Sequence, residues 1–299
     1  MGQKILVVCG PTASGKSALA IRLAKKFNGE VISADSRQVY KGLNIGTGKI
    51  TPHEMRAIPH HLLDIVSSKK IYTAADFKRD AEKALRHIIK KGKLPIVCGG
   101  TGFYIEALLG NTLIPDVPPN NELRKKLSNK SSRGLFKILQ GLDAKRANTI
   151  DPKNTRRLIR AIEIALARGK TPPRTSKSIY NLLFIGTTLP KEKLKKKISL
   201  RLFARIREGM ITEAKRLHAN GLSWKRMDEL GLEYRYLAKF IRGEVDEEEM
   251  ERKLESEIWK YAKRQMTWFK RNKRINWYDM TEKISFNKIS SKVRVFIES

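Results

Sequence analysis

The chain has 299 residues, with 62 Lys and Arg against 30 Asp and Glu and a formal net charge of +32. That length buries a full core and exceeds one ordinary domain, and a charge excess far beyond what solubility needs points to a polyanionic partner, nucleic acid above all. No apolar run approaches the ~20 residues of a bilayer span and no leader pattern precedes the first strand-like run, so a cytoplasmic protein with no membrane contact is expected, and a monomer.

In chain order, an apolar run at 5–9 is followed by Gly10-Pro11-Thr12-Ala13-Ser14-Gly15-Lys16-Ser17 and then by a helical pattern at 17–26. Gly-x4-Gly-Lys-Ser between a strand and a helix is a phosphate-binding P-loop. Its backbone amides face an anion at a helix N-terminus, Lys16 adds a mobile positive charge, and the Ser17 hydroxyl is placed to hold Mg²⁺. A nucleoside triphosphate is the default occupant, which makes the loop nucleotide-binding and ATP-binding by default; any diphosphate satisfies the same physics. Cys9 ends the first run and Cys98 a later one, so both read as buried free thiols.

Further strand-like runs lie at 31–33, 62–66 and 94–98, with a helical pattern at 74–91 before the last. This alternation predicts an α/β fold, a P-loop NTPase-like parallel sheet covered by helices. Asp35 stands just past the second strand, where ligands bind at the carboxyl ends of parallel strands, and is placed to accept a proton; capping the next turn is its alternative use. Thr101, in the turn Gly99-Gly100-Thr101-Gly102 before a helix at 103–109, points into the same crevice. His60 and His61 have no partner at metal-ligand spacing and read as structural. No strand ends in an acidic pair suited to hold the metal of a motor ATPase.

At Pro115-Asp116-Val117-Pro118-Pro119 the character changes. From there to Pro172-Pro173 the pattern is short helices, at 122–127, 135–139 and 154–167, with no strand. Residues 111–179 hold 16 Lys and Arg against 5 Asp and Glu, a net of +11. They read as an all-helical basic insertion for nucleic acid, with Arg156, Arg157 and Arg160 near it, splitting an α/β core made of 1–110 and 180–299. A strand-like run at 182–187 resumes the sheet. The last long helix, 246–273, starts acidic and ends basic, with Met250, Leu254, Ile258 and Tyr261 on its core face. Trp259, Trp268 and Phe269 read either as core or as a basic aromatic surface for RNA.

These motifs, together with Asp35-Ser36-Arg37-Gln38-Val39-Tyr40, Ile45-Gly46-Thr47-Gly48-Lys49, Pro59-His60-His61-Leu62-Leu63-Asp64, Tyr72-Thr73-Ala74-Ala75-Asp76-Phe77, the Asn154-x-x-Arg157-x-x-Arg160 stretch and Tyr261-Ala262-Lys263-Arg264-Gln265-x-Thr267-Trp268, resemble the tRNA dimethylallyltransferases. The compact bacterial form is the one resembled, since no Cys/His finger follows the last helix. The resemblance implies transfer of a dimethylallyl group from dimethylallyl diphosphate to the 6-amino group of the adenosine 3′ of the anticodon, in tRNAs reading codons that begin with U. It implies Mg²⁺ as cofactor and the tRNA anticodon stem-loop as partner. Asp35 is then the base, and Lys16, Ser17 with Mg²⁺, and Arg201 stabilise the departing diphosphate. Ser36, Arg37, Gln38 and Thr101 contact the flipped base and its neighbours. Two departures stand out: Gly48 replaces a usual alanine, which should only loosen the loop, and Lys197 replaces a common arginine ahead of Arg201. A small-molecule P-loop kinase, a non-catalytic RNA-binding protein and an adenylate isopentenyltransferase are the rival readings. The basic insertion argues against the first and third, and intact Lys16, Ser17 and Asp35 against the second.

Overall fold

The computed structural model describes residues 2–110, 114–169, 178–282 and 285–299. It divides into two compact units, residues 1–109 with 178–299, and residues 110–177. The first unit begins β1 (Lys4–Cys9), α1 (Lys16–Lys26), β2 (Gly29–Ser33), β3 (Tyr40–Lys41), α2 (Pro52–Met55), β4 (His60–His61), β5 (Val66–Ser67), α3 (Ala74–Lys90), β6 (Leu94–Gly99) and α4 (Gly102–Leu108). The second holds α5 (Asn121–Ser128), α6 (Ser132–Leu142), α7 (Ala144–Ala147) and α8 (Thr155–Arg168). The first resumes with β7 (Asn181–Thr188), α9 (Lys191–Arg207), α10 (Met210–Ala219), α11 (Trp224–Leu230), α12 (Leu232–Ile241), α13 (Glu247–Phe269), β8 (Ile275–Asp279) and α14 (Ser285–Glu298).

Six strands pair in the order β4, β2, β6, β1, β7, β8, every pairing parallel. Parallel strands covered on both faces need apolar residues throughout, and Ile5, Leu6, Val7 and Val8 are all fully buried. One face packs on α1 and α14 through Leu19, Leu23, Ile289 and Val293. The other packs on α3 and α4 through Phe77, Leu85, Ile88 and Ile105. A third apolar cluster joins α9 to α13 and seats Val39, Tyr40 and Leu43 of the segment after β2. The Tyr72-to-Phe77 motif is a helix start: Thr73 Oγ1 accepts from the Asp76 amide at 3.2 Å, and Asp76 Oδ2 accepts from the Thr73 amide at 3.0 Å. No helix among the described residues is long and apolar enough to cross a membrane.

One expectation fails here, and one strand escaped the sequence. The run at 62–66 is not a strand: Leu62 and Asp64 take left-handed φ of 67° and 54°, which breaks an extended ladder. The chain leaves the main sheet after His61 and pairs again only at β5, with β3, in a separate two-stranded sheet. The last long helix stops at Phe269, and β8 follows it. That strand lies at the sheet's edge and four of its five residues are only partly buried, so its weak alternation carries little signal.

The insertion has its own core of Leu127, Leu135, Leu139, Leu158 and Ile162. It is organised on one buried carboxylate. Glu163 accepts from the Asn120 amide at 2.7 Å, from Arg124 Nε and Nη2 at 2.8 Å each, and from Arg160 Nη1 at 2.7 Å. Burial alone would raise this carboxyl, but the two guanidiniums and the amide outweigh it and hold it down at about 2. Arg160 Nη2 also donates to Val117 O at 2.8 Å, so Arg160 is an internal tie of the insertion and not a free RNA contact. Arg156 and Arg157 are exposed on α8. The Pro172-Pro173 boundary lies outside the described residues.

Candidate active site

The site forms at the carboxyl ends of β1, β2 and β6, which is where an open parallel sheet presents its loops to a ligand. Between β1 and α1 the P-loop turns on Gly15, whose φ of +92° is left-handed backbone that glycine adopts without strain. Ser14 locks the loop from inside: its hydroxyl donates to Pro11 O at 2.8 Å and lies 2.6 Å from Thr187 Oγ1 on β7. Lys16 Nζ folds back to Pro11 O at 3.2 Å. Burial pushes this ammonium below its usual range, against the pull of the Asp35 carboxylate nearby. Ser17 is hydrogen-bonded with the Cys98 thiol, which burial pushes up to about 11, so Cys98 is a neutral wall. Both cysteines are free and buried.

Asp35 Oδ1 accepts the backbone amides of Arg37 at 2.8 Å and Gln38 at 3.4 Å. The cap therefore occupies one oxygen and orients the other. Thr101 Oγ1 accepts from the Ser36 amide at 3.1 Å and is hydrogen-bonded with the Tyr261 hydroxyl. Gln38 Nε2 donates to Gly48 O at 3.2 Å.

Two cavities meet over these residues. The first is walled by Lys16, Ser17, Asp35, Gln38 and Arg201, and also by the apolar Val31, Ile50 and Leu63. The second is a wider cleft past Ser36, Arg37, Glu233, Tyr236 and Tyr261. Their common wall consists of Thr12, Lys16, Asp35, Thr47 and Arg205. Of the residues picked from sequence, Thr12, Lys16 and Asp35 thus face both cavities, while Ser17, Gln38 and Arg201 face the first and Ser36 and Arg37 the second. Thr101 lines neither and stands behind Ser36. In Arg201, burial and the neighbouring Arg205 push the guanidinium down to about 10, which leaves it a cation at neutral pH.

Tyr261 was expected in the core; it instead lines the second cleft, with its hydroxyl hydrogen-bonded with Thr101 behind that wall. Phe269 is buried in the core, while Lys260, Lys263, Arg264, Trp268 and Arg271 form a basic depression on α13, with the Arg271 guanidinium 3.9 Å from the Trp268 ring. Gln265, quoted above only as part of a motif, bridges two loops: its Oε1 accepts from Thr12 N at 2.8 Å and its Nε2 donates to Gly100 O at 3.0 Å. Glu213, Arg205 and Glu233 were missed. Only Arg205 left a trace in the sequence, its four-residue spacing from Arg201. Gly48 does more than loosen its loop: its φ is +55° and Arg205 fills the space a side chain would need.

The family profile described as IPP transferase matches residues 38–272. A tRNA dimethylallyltransferase of Geotalea uraniireducens is 42% identical over 92% of this chain and 90% of its own length. That of Anoxybacillus flavithermus is 40% identical over 100% and 97%. The crystal structure of a full-length tRNA isopentenylpyrophosphate transferase from Bacillus halodurans superposes with a TM-score of 0.74 at 36% identity, covering 99% of this chain and 96% of that one. A eukaryotic dimethylallyltransferase acting on tRNA gives 0.82 at 26% identity, over 98% and 77%. With its ordered motifs and its fold in agreement with these matches, the chain belongs to the tRNA dimethylallyltransferase family.

Proposed function

We infer that this protein transfers the dimethylallyl group of dimethylallyl diphosphate to the 6-amino group of the adenosine just 3′ of the anticodon, in tRNAs that read codons beginning with U, and releases diphosphate. The observation that carries the reading is the common wall: a chamber combining cations with apolar side chains opens, across Asp35, onto a wider cleft of mixed polar and apolar lining. A small allylic diphosphate suits the chamber, because its anionic end meets Lys16 and Arg201 and its hydrocarbon end meets Val31, Ile50 and Leu63. A flipped purine suits the cleft, since an adenine stacked in an anticodon loop cannot present its amine.

The exocyclic amine is a weak nucleophile, its lone pair being delocalised into the ring. Asp35 accepts its proton, on the carboxylate oxygen that the amides of Arg37 and Gln38 leave free, as the new C–N bond forms and the C–O bond to diphosphate breaks. Lys16 and Arg201 stabilise charge on the departing diphosphate. Thr101 holds the Ser36 backbone and Tyr261 in register beside the base. Among the described residues no cluster of three or more His, Cys, Asp or Glu is built for a metal. The Ser17 hydroxyl fits Mg²⁺ all the same, a hard cation that keeps water and takes phosphate oxygens with few protein ligands. When bound there, Mg²⁺ neutralises diphosphate charge. The basic face of α13 and the exposed Arg156 and Arg157 supply cations for the anticodon stem-loop.

Labelled dimethylallyl diphosphate with Mg²⁺, offered to unmodified tRNA and to AMP, tests the reading. Label enters tRNA and not AMP, and Asp35→Asn keeps tRNA affinity while turnover falls by ~10² or more. Label in AMP alone, or full turnover in Asp35→Asn, overturns the acceptor or the base respectively.

A further inference from the structure

One face of α9 carries Lys197, Arg201 and Arg205 at spacings of four, which stacks like charges one above another. The crowding shows in the first two of the row: Lys197 and Arg201 are each lowered by burial first and then by the next guanidinium along it. Of the three, Arg205 alone has a carboxylate partner among the described residues, Glu233, and that contact is loose, with Nη1 3.6 Å from Oε1. The Arg205 and Glu233 side chains are 13% and 14% exposed. A guanidinium so nearly enclosed ordinarily satisfies its five donors within the protein. Arg205 makes no hydrogen bond to the described residues; it lines both cavities beside Lys16, Asp35 and Thr47.

What seats it is Gly48. A Cβ at that position would lie 1.8 Å from Arg205 Nη2 and 2.4 Å from its Cζ, so the Nη2 end of the guanidinium abuts the glycine and fills the space a side chain would need. Gly48 is fixed in turn, through the loop 44–46, by Glu213. The Glu213 carboxylate accepts the amides of Asn44 at 3.0 Å, Ile45 at 2.8 Å and Gly46 at 3.0 Å. The fork of Arg205 is therefore braced from below by Gly48, flanked by Glu233, and open toward the chamber that holds the P-loop lysine.

We propose that Arg205, seated on Gly48 and flanked by Glu233, is a further ligand of the donor's diphosphate, gripping it at the wall shared with the acceptor cleft. This rests on the reading of the first cavity as the donor chamber. A planar fork with unused donors beside a P-loop matches a diphosphate, whose oxygens accept two parallel N–H bonds.

Calorimetry with inorganic pyrophosphate and Mg²⁺ tests it, together with donor KM and tRNA affinity. Arg205→Ala weakens pyrophosphate binding by about tenfold or more and raises donor KM, with tRNA affinity unchanged. Arg205→Lys recovers only part, because an ammonium lacks the fork. Gly48→Ala unseats the guanidinium and weakens binding comparably, yet adds little in the Arg205→Ala background. If Arg205→Ala does not fold, the lysine and alanine variants at 205 and 48 still carry the comparison. Unchanged pyrophosphate affinity in Arg205→Ala, a loss confined to tRNA, or fully additive losses at 48 and 205 would overturn the proposal. A wild-type protein that binds no pyrophosphate would take the donor-chamber reading down with it.

Discussion

Loops 10–17 and 44–49 wall the same chamber and are held by opposite means. Loop 10–17 hangs between a buried strand and the helix it starts, and its own Ser14 bonds back to Pro11 O. Loop 44–49 has no long element at either end, and three of its amides go to one carboxylate, Glu213 of α10, while Lys49 reaches Tyr40 O at 2.7 Å, Asn44 Oδ1 at 3.0 Å and the Asp64 carboxylate. The difference follows from what each loop does. A loop that must offer its amides to an anion cannot use them to hold itself, so sequence neighbours have to fix it. A loop that only shapes a wall can give its amides to a buried acid.

The largest effect expected from this contrast is at Lys16. Lys16→Ala should reduce transfer by about 10² to 10³-fold, the scale of a charge aimed at a developing anion. It should not lower the melting temperature, because burial already disfavours the ammonium in the folded state. Thermal melting beside a transfer assay decides it. A melting temperature several degrees lower would make Lys16 a support of its loop and erase the contrast.

The same contrast explains what the sequence made legible. Gly10 to Ser17 could be read because its determinants are contiguous: strand, glycines, Lys16 and helix follow one another within 26 residues. Asp35 could be placed because the end of a strand is a local feature. The support of loop 44–49 could not, since Glu213 lies 168 positions from Ile45 and looks like any acid on an amphipathic helix. The run at 62–66 misled for a related reason. Leu62 is a real core contact, but Ile65 is exposed, the left-handed turns at Leu62 and Asp64 serve a contact with Lys49, and no local pattern announces it. Tyr261 shows the limit of periodicity, which tells that a residue faces inward and not whether that inward face is core or cleft.

At Glu213 the pattern of Lys16 should invert. Glu213→Gln leaves one acceptor oxygen for three amides and the Tyr234 hydroxyl, which donates to Oε1 at 2.7 Å, and turns an amide group toward the donors it cannot satisfy. A stability loss of about 2 to 4 kcal/mol in denaturant titration is expected from those unmet donors. Transfer should fall by roughly tenfold, chiefly through a higher donor KM, as the wall carrying Gly48 loosens. A variant as stable as wild type would mean that loop 44–49 holds itself.

The smallest effect tests the exception. Gln265 of α13 is a distant residue that does hold the P-loop, by accepting from Thr12 N while donating to Gly100 O, and it is only 5% exposed. Gln265→Leu leaves the Thr12 amide and the Gly100 carbonyl without these partners and should cost about 1 to 2 kcal/mol, with transfer reduced less than tenfold, because strand, helix and Ser14 still define the loop. Gln265→Glu separates the two bonds: it keeps an acceptor for Thr12 N and sets a carboxylate against Gly100 O. If the Thr12 bond is what matters, the glutamate variant retains the transfer rate that the leucine variant loses, at a similar cost in stability. Should Gln265→Leu instead abolish transfer as completely as Lys16→Ala, loop 10–17 would depend on a remote clasp as much as loop 44–49 does, and the two would no longer differ in kind.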